Sequence, residues 1–173
     1  MRIIGLAGWS GAGKTTLLAQ IIPRLVARGL TVSTIKHAHH KFDVDQPGKD
    51  SYIHRSAGAT EVLVASATRF ALMHELRGAA EPSLAELLGK LAPVDLVLIE
   101  GFKRERHPKL EIHRHANGKP LLLGDFPNVV AIASDTPLSK VSVPTVGLDD
   151  IEAIIDILLA YAAPIEAVAG RRA

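Results

Sequence analysis

Apolar and polar residues follow two different patterns along the 173-residue chain. Apolar residues at helical spacing predict helices over 14–28 and 149–162. Short apolar runs bounded by turn residues predict strands, which lie at 2–7, 31–36, 94–99, 109–114, 129–133 and 144–147. The run at 109–114 alternates with polar residues and predicts a half-exposed strand. Strands that alternate with helices indicate a three-layer α/β fold, with a mostly parallel sheet and helices on both faces.

The middle of the chain interrupts this alternation. Residues 61–66 and 69–75 are two β-rich runs with two residues between them, a spacing that predicts a β-hairpin insertion. Asp50 is placed to cap the short helix that precedes the hairpin. No repeat or linker divides the sequence, so we expect a single domain over 1–173 in which the tail, 164–173, is frayed.

The composition limits the classes of function. Apolar residues make up 47% of the chain and charged residues 22%, which is typical of a globular protein. The formal net charge of +2 is too small to indicate a nucleic-acid-binding protein. The chain has no cysteine, which excludes disulfides, thiolate metal sites and cysteine nucleophiles. No apolar run approaches the roughly 20 residues of a membrane helix, so we expect a cytoplasmic protein.

A phosphate-binding motif follows the first predicted strand. Residues 8–15 match the pattern G-x-x-x-x-G-K-[ST], and a predicted helix comes next. Glycines let backbone N–H groups converge on phosphate oxygens, and the helix N-terminus presents unpaired donors to the same anion. Lys14 supplies charge for the β- and γ-phosphates, and the Thr15 hydroxyl is a magnesium ligand. The predicted phosphate-binding residues are Gly8, Ser10, Gly11, Ala12, Gly13, Lys14, Thr15 and Thr16.

An acidic residue ends a buried strand further along the chain. Glu100 follows the apolar run at 94–99 and precedes Gly101. In an open α/β sheet, ligands bind beyond the carboxyl ends of the strands, so this carboxylate points toward the ligand site. Nucleotide-binding proteins use such a residue to hold magnesium. Glu100 is therefore a predicted magnesium ligand, and we assign it a catalytic role together with Lys14.

The segment HAHHKFDVDQPGKD is rich in histidine and aspartate. In one interpretation, His37 and His39 lie near ligand phosphates, while Asp45 holds magnesium through water and acts in catalysis. In a second, the histidines form a transition-metal site, since imidazole and carboxylate both bind such ions. In a third, the segment is simply a solvated loop. The segment follows the strand at 31–36, which favours the first interpretation because the loop then reaches the phosphates.

Several stretches together resemble the MobB family, the molybdopterin-guanine dinucleotide biosynthesis proteins B, over nearly the full length of the chain. In chain order they read GWSGAGKTTLL, IKHAHHKFDVDQPGKDSYIHRSAGA, FALMHEL, LVLIEGFKRE and VAIASDTPL. The second is the most specific. The resemblance implies a P-loop NTPase fold and a homodimer that binds GTP and Mg²⁺. It also implies a weak GTPase that assists the molybdenum cofactor guanylyltransferase in joining GMP to molybdopterin, as an adapter.

The same resemblance bears on the choice of base. Asp135 occupies the place of the guanine-reading element of related GTPases, although their usual Asn-Lys-x-Asp sequence is absent. A carboxylate there accepts hydrogen bonds from N1–H and the exocyclic amine of guanine, a pair of donors that adenine lacks. The alternative is that Asp135 is a turn residue before Pro137.

Other functions are compatible with these motifs. A small-molecule kinase of the same fold would clamp the transferred phosphoryl group with arginines, for which Arg104 and Arg106 are candidates, but no lid insertion is evident. A metal-delivery GTPase would use the histidine-rich segment. A non-catalytic partner protein would bind nucleotide only as a structural element. The cationic segment 103–119 is either a solvated surface or a docking site for a pterin phosphate or a partner.

Overall fold

The computed structural model describes residues 1–38 and 42–169. Its contacts divide the chain into two compact units, of which the first is Met1–His37 with Leu84–Ala173 and the second is Ala38–Ser83. The elements, in chain order, are β1 (Arg2–Ala7), α1 (Lys14–Ala27), β2 (Val32–Lys36), α2 (Asp50–Ser56), β3 (Glu61–Ala65), β4 (Phe70–His74), α3 (Leu84–Leu88), β5 (Leu96–Glu100), β6 (Lys109–His113), a 3₁₀ turn (His115–Asn117), β7 (Val129–Ser134), β8 (Thr145–Gly147), α4 (Ile151–Tyr161), β9 (Ala163–Pro164) and α5 (Glu166–Ala169).

The first unit is built on a mostly parallel sheet. Six strands run in the order β2-β5-β1-β6-β7-β8, and each neighbouring pair is parallel. The short strand β9 pairs antiparallel with the start of β1. This order puts β1 between β5 and β6, so the carboxyl ends of these three strands lie side by side. The predicted α/β fold with a mostly parallel sheet is confirmed.

Helices cover both faces of this sheet, as the sequence predicts. On one face, α1 and α4 bury a core that includes Ile4, Leu6, Ile21, Leu25, Leu98, Leu110, Ile154 and Leu158. On the other face, Leu84 and Leu88 of α3 pack with Ile3, Val97 and Ile99. Burial of apolar surface at about 25 cal/mol per Å² makes these two clusters the main stabilising contribution. Within the described ranges, no helix has the length and apolar character needed to cross a membrane.

Strand β6 differs from its prediction, because it is buried rather than half-exposed. Lys109 and Glu111, whose polar side chains suggested a solvent-facing side, are both buried. The ammonium group of Lys109 donates to the backbone carbonyls of Glu105, His107 and Pro127. A polar side chain can be buried at little cost when its hydrogen bonds are made, and the sequence pattern does not reveal those partners.

The start of α2 also differs from the pattern. Asp50 is the first residue of α2, and Lys49 takes the capping position. The Asp50 carboxylate still lies in the first turn, where negative charge interacts favourably with the helix dipole. At the start of the tail, Pro164 pairs with Arg2 and the N–H of Ile165 donates to the carbonyl of Met1 at 3.1 Å, and fraying of 164–173 stays a prediction.

The second unit contains α2 and the hairpin of β3 and β4. The strands pair antiparallel from Glu61 with His74 to Ala65 with Phe70, which confirms the predicted hairpin. Large apolar side chains of this hairpin are exposed to solvent, namely Leu63, Val64, Phe70 and Leu72. An isolated two-stranded sheet is only marginally stable in water, and exposed apolar side chains of this kind are typical of a surface that binds a partner.

Candidate nucleotide site

The loop between β1 and α1 depends on glycine at three positions. A Cβ atom at Gly8 would lie 2.7 Å from the carbonyl oxygen of Ile112, so a side chain does not fit there. Gly11 and Gly13 have φ values of 79° and 92°, in the left-handed region that glycine adopts at low cost. Gly13 is also the N-cap of α1. The loop therefore has the backbone of a phosphate-binding nest at the start of a helix.

Lys14 folds back over this loop. Its Nζ atom donates hydrogen bonds to the carbonyl oxygens of Gly8 and Trp9, each at 3.0 Å. Burial lowers the pKa of the Lys14 ammonium; the Glu100 carboxylate opposes this shift, while Lys103 and Lys36 add to it. Three cations thus face one carboxylate at this point. A phosphate group bound in the loop would relieve the repulsion among them.

The remaining residues of the predicted phosphate loop fall into two groups. Ser10, Thr15 and Thr16 are exposed at the mouth of the loop. Ala12 is buried, and its N–H donates to the carbonyl of Trp9 at 3.2 Å. The hydroxyl groups are therefore accessible to a ligand, while the alanine anchors the loop on the core.

Glu100 ends β5 next to the strand that leads into the loop. Its Cα is in register with Leu6 of β1 and with Lys36 of β2. The carboxylate is 14% exposed and lies 3.6 Å from the Lys36 ammonium. The Thr15 hydroxyl and this carboxylate are hard oxygen donors of the kind that Mg²⁺ prefers, and the second is largely shielded from water. The residues present therefore fit the predicted ion.

A strained turn follows Glu100 and holds His37. Gly101 and Phe102 have φ values of 97° and 49°, and positive φ is uncommon for a residue such as phenylalanine. A Cβ atom at Gly101 would lie 2.7 Å from the Cβ of His37, whose ring packs against Phe102 with centroids 4.7 Å apart. The N–H of His37 donates to the carbonyl of Glu100 at 2.8 Å. His37 is thus fixed at the sheet edge that carries Glu100.

Asp135 comes directly after β7 and has two protein partners. One carboxylate oxygen, Oδ1, accepts a hydrogen bond from the backbone N–H of His115 at 2.8 Å. The other, Oδ2, lies 3.7 Å from the Arg114 guanidinium. Asp135 also borders a cavity of about 280 Å³, lined by 134–138 and 145–147. The cavity opens where β7 and β8 end, at the sheet edge shared with the phosphate loop.

The aromatic ring of Trp9 is a part of the loop that the sequence reasoning missed. Its indole N–H donates to the carbonyl of Pro120 at 2.8 Å. The ammonium groups of Lys103 and Lys119 lie 4.9 and 6.0 Å from its ring centroid. One signal was available, because Trp9 is the only tryptophan of the chain and stands inside the phosphate motif. The contacts tie two lysines of the cationic segment 103–119 to the loop.

Asp45 belongs to the second unit, where its carboxylate is 7% exposed. Oδ1 accepts hydrogen bonds from the Ser51 hydroxyl at 2.8 Å and the Gln46 N–H at 3.0 Å. Oδ2 has no hydrogen-bond partner in the described part of the chain and lies 3.6 Å from Arg55 Nε. The role of Asp45 toward magnesium stays a prediction.

The structure describes part of the histidine-rich segment, including His37 and Asp45. His39, predicted near a phosphate, and His40, needed by the transition-metal interpretation, lie outside the described residues. Among residues 1–38 and 42–169, no three histidine or acidic side chains come together as a metal site would require.

Comparisons with known proteins agree with the fold and the loop. The family model for molybdopterin guanine dinucleotide synthesis protein B, MobB, matches residues 3–135. The molybdopterin-guanine dinucleotide biosynthesis adapter protein of Escherichia coli is 43% identical over 162 residues, which cover 92% of each chain. The protein of the same name from Haemophilus influenzae is 44% identical over 79% of this chain and 76% of its own.

Solved structures give the same result. The crystal structure of Bacillus subtilis MobB superimposes with a TM-score of 0.73 at 26% identity, over 94% of this chain and 98% of that one. A MobB homolog from Bacillus stearothermophilus gives a TM-score of 0.66 at 26% identity, over 91% and 95%. The phosphate loop, the parallel sheet and these matches lead to one conclusion: the chain belongs to the MobB family.

Proposed function

We propose that this protein is a GTP-binding adapter in the biosynthesis of molybdopterin-guanine dinucleotide. The observation that carries the proposal is the arrangement of Lys14 on the glycine loop with Glu100 at the end of the adjacent strand. Nucleotide-binding proteins of this fold need both a lysine that binds phosphate and a carboxylate that holds magnesium. The names of the Escherichia coli and Haemophilus influenzae relatives support the pathway.

Nucleotide binding is tested by titration with GTP and ATP in the presence of Mg²⁺. We expect tighter binding of GTP, and a loss of about 100-fold or more in Lys14→Ala, because a charge-assisted contact to phosphate disappears. Lys90→Ala, an exposed lysine after α3, is the matched control and should bind normally. Equal affinity for ATP and GTP would contradict the guanine assignment, and unchanged affinity in Lys14→Ala would contradict the phosphate loop.

Selection of guanine is assigned to Asp135 at the edge of the 280 Å³ cavity. A carboxylate has about four acceptor sites, so its bonds to the protein leave acceptors for the N1–H and amine of guanine. In Asp135→Asn, one acceptor becomes a donor that suits the C2 carbonyl of xanthine. We expect weaker GTP binding and stronger XTP binding. An unchanged ratio of the two affinities would assign Asp135 to the turn instead.

Magnesium is assigned to Thr15 and Glu100. These two side chains would hold the ion, which would neutralise part of the charge on the phosphates. Glu100→Gln should raise the Mg²⁺ concentration needed for half-maximal GTP binding, whereas Glu81→Gln should not. The predicted role of Asp45 is tested the same way, with Asp45→Asn. If neither Glu100→Gln nor Asp45→Asn changes the Mg²⁺ concentration required, the assignments of Glu100 and Asp45 to magnesium are both refuted.

We further propose that hydrolysis is slow and that the protein acts through the guanylyltransferase that attaches GMP to molybdopterin. The test is GTP turnover, and capture of the purified guanylyltransferase, with wild type and with Lys14→Ala. We expect binding to the guanylyltransferase that depends on GTP, with little turnover by the adapter alone. Rapid GTP turnover without the partner, or no binding to it, would contradict the adapter role.

We also propose that the hairpin of the second unit joins two copies of the chain. Leu63 and Leu72 lie opposite each other across the strands, and Phe70 is 73% exposed. Exposed apolar side chains on a two-stranded sheet favour pairing with a second sheet of the same kind. Leu72→Lys should convert a dimer to a monomer by light scattering, whereas Arg69→Ala should not. A monomeric wild type would refute this proposal.

A further inference from the structure

Arg114 is a residue that no motif indicates, yet it lies beside the phosphate loop. It comes directly after β6, the strand next to β1. A Cβ atom at Gly13 would be 3.4 Å from its Nη2 atom, so the guanidinium stands at the residue that caps α1. The side chain is 41% exposed, which leaves it accessible from the mouth of the loop.

Three contacts keep Arg114 in this place. The carboxylate of Asp135 lies 3.7 Å from Nη1 and accepts the backbone N–H of the next residue, His115, at 2.8 Å. In the turn that follows, the Asn117 amide donates to the carbonyl of Ser10 at 3.4 Å. The end of β6 is thus fastened to β7 on one side and to the phosphate loop on the other.

Among residues 1–38 and 42–169, the ion pair with Asp135 leaves most of the Arg114 guanidinium without a partner. Arginine carries five N–H donors in a planar fork, and 3.7 Å to Asp135 is longer than a hydrogen bond. An exposed pair of this kind contributes little to stability. The fork matches the geometry of two phosphate oxygens, and the neighbouring helix N-terminus attracts the same anion.

We infer that Arg114 binds a phosphate group of the nucleotide and that Asp135 positions its guanidinium. This inference rests on the proposed nucleotide binding. It also gives Asp135 an effect on phosphate affinity that is separate from any contact with the base.

The experiment measures competition against a fluorescent GTP analogue by two probes, inorganic triphosphate and guanosine. Arg114→Met removes the charge and keeps the aliphatic stem, and Arg114→Lys keeps the charge without the fork. Arg104→Met is the matched control, because it removes the same charge from the same cationic segment, 103–119. We expect Arg114→Met to lower the affinity for inorganic triphosphate about tenfold. The affinity of Arg114→Lys should lie between those of Arg114→Met and wild type, and that of Arg104→Met should differ from wild type by less than about twofold. Guanosine should be unaffected by all three.

The positioning role of Asp135 is read from a double-mutant cycle on triphosphate affinity. Asp135→Asn should weaken the binding of triphosphate when it is introduced into the wild-type protein. It should have no further effect on this affinity when it is introduced into Arg114→Met. Additive losses would refute the positioning role. Equal losses of triphosphate affinity in Arg114→Met and Arg104→Met would refute the contact with phosphate. If Arg114→Met does not fold, Arg114→Lys provides the test, and wild-type triphosphate affinity in that variant would refute the need for the planar fork. If the wild-type protein does not bind GTP at all, the proposed function itself is refuted.

Discussion

Gly5 and His107 share a space that holds only one side chain. A Cβ atom at Gly5, in the middle of β1, would lie 2.5 Å from Nε2 and 2.9 Å from Cδ2 of the His107 imidazole. The ring is fully buried, and both of its nitrogens are without a hydrogen-bond partner among the described residues. The glycine therefore lets the segment after β5 pack directly on the central strand.

Gly5→Ala should destabilise the protein by about 1–3 kcal/mol, because the added methyl group forces the buried ring to move. The free energy of unfolding in urea measures this change. Gly147→Ala is the control, since a Cβ there meets nothing closer than 4.0 Å. The double variant Gly5→Ala/His107→Ala should lose less than the sum of the two single changes. Strict additivity would contradict the proposed clash.

The same histidine should make stability depend on pH. Burial, and then the Lys109 charge, lower the pKa of His107 from 6.5 to about 3. Above pH 6.5 the imidazole is neutral in both states, whereas between pH 6.5 and about 3 the unfolded chain takes up a proton that the folded protein does not. Stability should therefore fall as the pH drops through this window, by at most about 1.4 kcal/mol per pH unit from this group.

His107→Leu isolates this contribution, because it fills a similar space and cannot be protonated. The variant should lose less stability than wild type when urea unfolding at pH 6.5 is compared with pH 4.5. Other groups that titrate in this range, including Glu111, whose pKa burial raises, contribute equally to both proteins. Parallel pH profiles for the two would show that His107 is protonated without cost.

Glu111 should link the core to Trp9. Its buried carboxylate accepts the backbone N–H groups of Leu122 and Leu123 at 2.6 and 3.0 Å. Glu111→Gln replaces one acceptor by a donor, so one buried N–H loses its partner at a cost of about 1–3 kcal/mol. The nearby Pro120 carbonyl holds the indole ring. We therefore expect a shift of tryptophan fluorescence in Glu111→Gln and none in Asp125→Asn, an exposed change in the same segment; unchanged emission in both would contradict the link.

Arg55 should hold the second unit together. Its guanidinium donates to Asp43 at 2.6 Å and to Glu75 at 3.0 Å. The Cζ atom of Arg55 also lies 5.3 Å from the centroid of the Tyr52 ring, within the range of a cation–π interaction. Arg55→Lys cannot reach both carboxylates, so hydrogen exchange in α2 and β4 should become several-fold faster.

Arg28 offers the matched comparison for Arg55. It pairs with Glu152 and Asp156 on the solvent side of α1 and α4. Exposed pairs of this kind contribute little, so Arg28→Lys should leave hydrogen exchange near the wild-type rate. Equal effects of the two lysine variants would mean that Arg55 is no more than another surface ion pair.

The local pattern of the sequence was enough to predict the six parallel strands, the main helices and the hairpin. Periodicity and turn residues report directly on which backbone conformation buries apolar side chains. The phosphate loop was also readable, because the demands on Gly13 and Lys14 come from residues that are neighbours in the chain. Glu100 followed from one general property of parallel sheets, that strand ends meet at one edge.

Only the tertiary structure decided which distant residues complete these features. Arg114 and Asp135 are 21 residues apart, and they meet only because β6 and β7 are neighbours. The burial of Lys109 depends in the same way on the carbonyl group of Pro127, which a later segment brings to it. Such contacts arise from the order of strands and the paths of loops, so periodicity along the chain, which records solvent exposure residue by residue, carries no trace of them.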